Sequence, residues 1–347
     1  MSRPVVDDSR VSYNTLVKIG IVGLGFMGAT HLNAYAKIEG VQLAAVCTPD
    51  ARALSGDLSG IGGNLNRPTG VHDFSAVRKH ANWRELVADP ELDAVDLCLP
   101  TDLHAEAAIA ALASGKHVIC EKPMALSAAD CDRMIAAAEQ YNRILMVGQV
   151  LRFWPEYRYL ETFVKSGGHG AVLAATFVRR CGLPDWSRWL PLEERSGGAL
   201  LDLLIHDIDQ ALLIFGTPDR VAAKKLGDVD AVMATLIYPG GSEVRIQGGW
   251  FAPATPFSMS FQARSERAEI ELTPDGLMLS DQAGQRNKIE IPESDAYDAE
   301  IAYFVDCCRG GRKPERCMPQ DSARAVKLAL LLKQSRALGG EQLKCSI

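Results

Sequence analysis

The sequence predicts two unlike domains: a doubly wound parallel α/β sheet, followed by an α+β domain with an open, mainly antiparallel sheet. Three observations carry this. Short apolar strands alternate with helices from residue 17 to residue 148. A glycine-rich turn joins the first strand to the first helix. After Gly148 the rhythm changes to longer strands separated by turns such as Pro239-Gly240-Gly241.

The elements follow in order. Val17–Val22 reads as a core strand and Phe26–Lys37 as a helix. Between them Gly23, Gly25 and Gly28 form G-x-G-x-x-G. Gly23 permits the tight turn, Gly25 lets a diphosphate approach the backbone, and Gly28 lets the helix pack on the strand. The free N–H groups of the helix start, at Phe26 and Met27, complete an anion site. This is the signature of a Rossmann dinucleotide-binding domain, expected over residues 17–148. Val41–Cys47 is the next strand, with a helix from Ala51. Ser59–Gly70 is glycine-rich and reads as a surface loop. Trp83–Ala88 (helix), Ala94–Leu99 (strand), His104–Ser114 (helix) and His117–Cys120 (strand) continue the alternation. Ser127-Ala-Ala-Asp130 is a capping box that opens a helix to Gln140, and Ile144–Val147 is a further strand.

In the second half, a helix ends at Lys165 and strands are expected at Ala171–Arg180, Val221–Lys225, Val229–Tyr238, Ser242–Gly248, Phe257–Ala263, Ala268–Leu272 and Leu277–Ser280. Asp298–Cys308 and Asp321–Ala337 read as closing helices. The expected division is 149–320 for the substrate and oligomerisation domain and 321–338 for the last helix.

Composition narrows the function. The net charge of −6 has no long run of one sign, which argues against nucleic acid or an anionic membrane as partner. Nine scattered cysteines suit reduced thiols and a cytoplasmic protein. No C-x-x-C or His/Cys cluster has zinc spacing, so no metal is expected. Residues 1–16 form a charged tail without the apolar core of a signal peptide. No apolar run reaches the length of a membrane span.

Ligands of such a sheet lie beyond the carboxyl ends of its strands. One strand ends at Thr48, where a ribose-binding carboxylate is expected. Arg52 can meet a 2′-phosphate, which favours NADP. Asp50 can reach a ribose, which favours NAD. The missing carboxylate tips the reading slightly toward NADP. A second strand end carries Pro100, Thr101 and His104, a third Glu121 and Lys122, and Gln149 follows the last. Lys122 falls at the crevice rim, where it can donate to a substrate oxygen or lower a neighbour's proton affinity. The Lys122–Pro123 bond is a candidate cis bond.

Gly197–Asp209 reads as a buried helix, apolar on nearly every side. Asp202, His206 and Asp209 recur at i, i+4 and i+7 as one polar stripe. Buried ionisable groups are costly unless paired or used. Asp202 beside His206 should raise and orient the imidazole, as a general acid/base requires. Asp207 and Asp209 can also serve as anchors. His31, His104 and His117 read as packing or surface residues.

Taken in order, Gly23-Leu-Gly-Phe-Met-Gly28, Pro100-Thr101-Asp102-Leu103-His104, Glu121-Lys122-Pro123 and Gly197-Gly198-x3-Asp202-x3-His206 resemble the Gfo/Idh/MocA oxidoreductases, over about residues 17–338. The resemblance implies hydride transfer between NAD or NADP and a sugar, cyclitol or related polyol, often in a homodimer or homotetramer. It implies Lys122, Asp202 and His206 as catalytic residues, and Arg152 and Asp185 as substrate contacts. Whether Lys122 or His206 carries the proton stays open. A sensor that binds a dinucleotide or sugar without turnover is the alternative; it should lack one of the three. Glycoside cleavage with transient use of NAD is another.

Overall fold

A computed structural model describes residues 16–65 and 67–347. The charged tail expected over residues 1–16 lies outside the described residues except for Leu16.

The first sheet has six parallel strands: β1 (Val17–Val22), β2 (Val41–Cys47), β3 (Arg78–His80), β4 (Ala94–Leu97), β5 (His117–Glu121) and β6 (Leu145–Gly148). Their order is β3-β2-β1-β4-β5-β6. The chain therefore reverses its direction of travel at β1, which pairs with β2 on one side and β4 on the other. A crevice opens at the carboxyl ends of those strands. β1 is buried along both faces apart from Lys18 near its start, which is half-buried and reaches Glu91 at 3.0 Å. β3 is short and charged, Arg-Lys-His, and leaves no apolar pattern to read.

The second sheet has nine strands: β7 (Val172–Gly182), β8 (Arg220–Leu226), β9 (Asp230–Ile237), β10 (Glu243–Phe251), β11 (Ser258–Ser265), β12 (Ala268–Thr273), β13 (Gly276–Asp281), β14 (Arg286–Ile289) and β15 (Leu343–Lys344). The order is β14-β13-β12-β11-β7-β10-β9-β8-β15. Only the central pair β7–β10 is parallel; every other pairing is antiparallel. Phe177, Ile246, Ala234 and Phe261 point to the covered face, under helices that include Ile205–Phe215 and Pro319–Ala337. Thr176, Val178, Met233, Gln247 and Gln262 mark the other, open face.

The two domains share their packing. Helix Ala296–Gly310 lies within the segment expected for the second domain, yet it packs on helix Phe26–Tyr35 and contributes Ile301, Phe304 and Val305 to the core behind β1. Helix Pro319–Ala337 bridges Ala128–Gln140 of the first domain and Ile205–Phe215 of the second. All nine cysteines are unpaired. Among the described residues, no helix is long and apolar enough to cross a membrane.

Candidate active site

The glycine turn has the form its sequence demands. Gly23 adopts φ +95°, and a Cβ there would strike the Cys98 carbonyl. A Cβ on Gly28 would strike the Gly23 carbonyl, while Gly25 faces open space. No side chain caps the following helix, so its first N–H groups stay available to an anion. This cradle fits the diphosphate of a dinucleotide.

A cavity of about 490 Å³ extends from this turn into the cleft between the domains. Gly25, Phe26 and Met27 line it from the first domain, with Glu121 and Lys122 from the end of β5; Asp202 and His206 line it from the second. The three residues matched to a catalytic set therefore reach one space from segments 80 residues apart in sequence. The Lys122–Pro123 peptide bond is cis.

Lys122 Nζ donates to the Asp202 main-chain carbonyl at 2.6 Å and to its Oδ1 at 3.3 Å. This corrects the single-helix reading of Gly197–Asp209. The segment breaks into Ala199–Asp202 and Ile205–Phe215, with Leu203 and Leu204 between. The carbonyl of Asp202 serves the lysine at the break. It also corrects the expected Asp202–His206 pair: the carboxylate belongs to Lys122. His206 is driven the other way from the expectation. Its pKa lies well below the ordinary 6.5, first because burial disfavours the charge and then because Lys122 and Arg179 repel it. The imidazole is neutral, and its buried Nδ1 has no hydrogen-bond partner.

The rest of the supposed stripe is anchorage. Asp209 receives Nε and Nη2 of Arg152 at 2.8 and 2.7 Å, and Asp321 takes its Nη1 at 2.9 Å. Arg152 is buried and does not line the cavity, so its expected contact with substrate hydroxyls is not made from this position: the guanidinium is spent on two carboxylates and the Arg316 carbonyl. Asp185 is exposed and lies outside the lining, although its neighbours Pro184 and Trp186 are part of it. Asp207 binds Arg179 at 2.8 and 3.1 Å.

The remaining expected coenzyme contacts divide. His104 is buried between the carbonyls of Pro123 (2.9 Å) and Leu99 (2.8 Å), tying two strand ends together rather than facing the cavity. Gln149 is buried, its amide 3.4 Å from Ser322 Oγ and its oxygen unpartnered. Thr101 is buried with a free hydroxyl, beside Pro100 at the same strand end. Thr48 accepts the Asp50 N–H at 3.3 Å. Asp50 caps the next helix through the N–H groups of Arg52 and Ala53. Arg52 is exposed, with Nε on Asp57 and Nη2 on Ser59 Oγ, both at 2.8 Å.

Two features escaped the sequence. The Ser59–Gly70 loop is a wall of the site: Ile61, Gly62, Asn64 and Leu65 line the cavity, and Arg67 fixes the loop by a two-pronged bond to Asp295 at 2.9 and 3.0 Å. Gly63 lies against the Phe26 ring where no Cβ would fit. The second is a buried charge cluster beneath Lys122. His31 Nδ1 meets Asp96 Oδ2 at 2.8 Å, and its Nε2 is 3.2 Å from Glu121 Oε1. Glu121 Oε2 accepts the Lys122 N–H at 3.0 Å. Burial opposes a charge on His31, but Asp96 and then Cys98 outweigh it, and its pKa is raised well above 6.5. Glu300, buried above Glu121 without partners, is kept neutral by burial and then by that neighbour's charge. Ligand atoms of His31, Asp96 and Cys98 fall within 4.8 Å of one another, a spacing a metal could use. Burial pushes the Cys98 thiol far up, and its Sγ lies 3.4 Å from both His31 Nδ1 and Asp96 Oδ1. Asp96, one charge inside an apolar strand, was the signal in the sequence.

Comparison with known proteins agrees with this geometry. Residues 17–149 match the family model described as "Oxidoreductase family, NAD-binding Rossmann fold", and residues 157–271 match the "GFO/IDH/MocA C-terminal domain". The chain is 27% identical to myo-inositol 2-dehydrogenase of Thermotoga maritima, over 92% of this chain and 96% of that one. It is 30% identical to levoglucosan dehydrogenase of Pseudarthrobacter phenanthrenivorans, over 64% of this chain and 55% of that one. Among solved structures, a probable dehydrogenase from Thermotoga maritima superposes with a TM-score of 0.76 at 25% identity, covering 94% of this chain and 98% of that one. With both halves matched, a nucleotide cradle in the first and the aspartate–histidine segment in the second, this chain belongs to the Gfo/Idh/MocA family of NAD-binding oxidoreductases.

Proposed function

We propose that the chain is a dehydrogenase that moves hydride between a carbinol carbon of a sugar, cyclitol or related polyol and nicotinamide. Bound coenzyme supplies the hydride acceptor. The protein supplies the proton chemistry. His206, neutral and half-buried at the cavity wall, takes the hydroxyl proton. Lys122 donates to the same oxygen and stabilises the charge that develops there. Asp202 holds the amine in place through its carbonyl and its carboxylate. A neutral imidazole at the wall of the cavity that also receives that amine is the observation that carries this reading. Histidine thus becomes the proton acceptor and lysine the electrostatic partner. His206→Ala should lose most turnover while coenzyme affinity, measured by fluorescence titration, stays near wild type. Unchanged turnover would defeat the assignment. The presence of all three residues favours the enzyme over a sensor.

For the coenzyme we propose NAD over NADP, reversing the slight lean drawn from Thr48. The guanidinium that could hold a 2′-phosphate already carries Asp57, and a phosphate there would meet that carboxylate as well. Michaelis constants for both coenzymes test this, and a strong preference for NADP would overturn it. A homodimer or homotetramer through the open face of the second sheet, and a cytoplasmic location, complete the proposal. Sedimentation analysis checks the first, and fractionation of the source cells the second.

A further inference from the structure

The cavity wall contributed by the second domain is poorly equipped for a ring hydroxylated all round. Four of the chain's five tryptophans, Trp154, Trp186, Trp189 and Trp250, border this one cavity, and Phe257 and Met259 join them. The polar side chains of that wall are few and mostly engaged. Arg179 is tied to Asp207 at 2.8 and 3.1 Å and to the Tyr157 hydroxyl at 3.3 Å. Asp202 holds Lys122, and Ser187 Oγ accepts the Leu190 N–H at 3.3 Å. His206 is committed to the reacting hydroxyl. Arg188, which is exposed, and the Tyr297 hydroxyl remain. A free hexose or an inositol brings about five or six hydroxyls, each both donor and acceptor. Against tryptophan faces most of them would lose water without gaining a partner. A ring with hydroxyls on one edge and hydrocarbon on the other fits both halves of the wall.

We propose that the preferred substrate is a sugar ring capped by an alkyl or aryl group, its hydroxylated edge at Lys122 and His206 and its cap against the tryptophans, rather than a free hexose or an inositol. The inference rests on the dehydrogenase reading above and narrows its substrate class. The ring carbons and hydrocarbon cap would stack on the indole faces, which accept C–H groups and exclude water.

The test compares the free sugar, the methyl glycoside and the phenyl glycoside in the gluco, galacto and manno configurations, with myo-inositol beside them. Coenzyme reduction is the readout. In any configuration that turns over, kcat/KM should climb from free to methyl to phenyl, by about tenfold or more at phenyl. Trp186→Ala should flatten the phenyl-to-free ratio whatever happens to the absolute rates, and Trp186→Phe should restore it. Trp186 is 43% exposed, and its ring lies 6.5 Å from that of Phe26, so coenzyme affinity is measured beside the ratio. A flat series, or preference for free sugar or myo-inositol, overturns this inference and leaves the dehydrogenase reading intact. Coenzyme binding without reduction by any member of the panel overturns both.

Discussion

Asp202→Asn probes the central pair with almost no change of shape. The variant keeps the main-chain carbonyl that receives Lys122 Nζ at 2.6 Å and keeps a side-chain oxygen near the 3.3 Å contact. It removes only the charge. For unit charges 3.3 Å apart, Coulomb attraction is about 1.3 kcal/mol at the dielectric of water and about 5 kcal/mol at an effective dielectric of 20. The side chains are 16% and 15% exposed, so the pair sits between those limits. About 2–3 kcal/mol of lost ordering corresponds to a drop of about 30- to 150-fold in kcat/KM. The effect should appear in steady-state coenzyme reduction, with coenzyme affinity and the melting temperature close to wild type. A variant within about threefold of wild type would be smaller than even the fully solvated limit predicts. It would show that Asp202 only shapes the turn and that its charge does nothing for Lys122.

Other outcomes follow from the same contacts. Because Lys122 is one of the groups that lower the His206 pKa, Lys122→Met should raise that pKa toward 6.5 and move the acid limb of kcat/KM to higher pH; a limb that stays or moves down refutes the coupling. In the wild type that limb should lie below pH 6.5, since the base form persists down to the depressed pKa. Arg152→Met strands Asp209 in the core and should cost about 3–5 kcal/mol in denaturant unfolding, with the substrate KM of the folded fraction unchanged. Asp57→Asn removes the carboxylate charge beside the Arg52 guanidinium and should raise kcat/KM with NADP while leaving NAD little changed; equal effects on both coenzymes would contradict the coenzyme assignment.

What could be read from the sequence is what neighbours in sequence decide. The glycine turn, the strand ends at Thr48 and Glu121-Lys122, and the capping box at Ser127 are local devices, and each occurs where its pattern puts it. The errors lie where a distant group intervenes. The i, i+4, i+7 spacing of Asp202, His206 and Asp209 is correct for an isolated helix. It fails because Lys122, 80 residues upstream, draws on the Asp202 carbonyl and carboxylate, and Arg152, 57 residues upstream, takes Asp209. The same intervention inverts the histidine's electrostatics: the nearest sequence neighbour suggests a carboxylate, whereas the charges that act on the ring are those of Lys122 and Arg179. His31 passed for a packing residue because its partners arrive on two other strands. β3 and β15 have too few residues to show a period, and the parallel pairing of β7 with β10 spans a crossover that no turn residue announces. The site is thus a product of topology more than of motif. The first sheet brings Lys122 to a crevice that its glycine turn alone would leave as a nucleotide site, and the broken helix of the second domain turns that crevice into a place where a proton can leave as a hydride does.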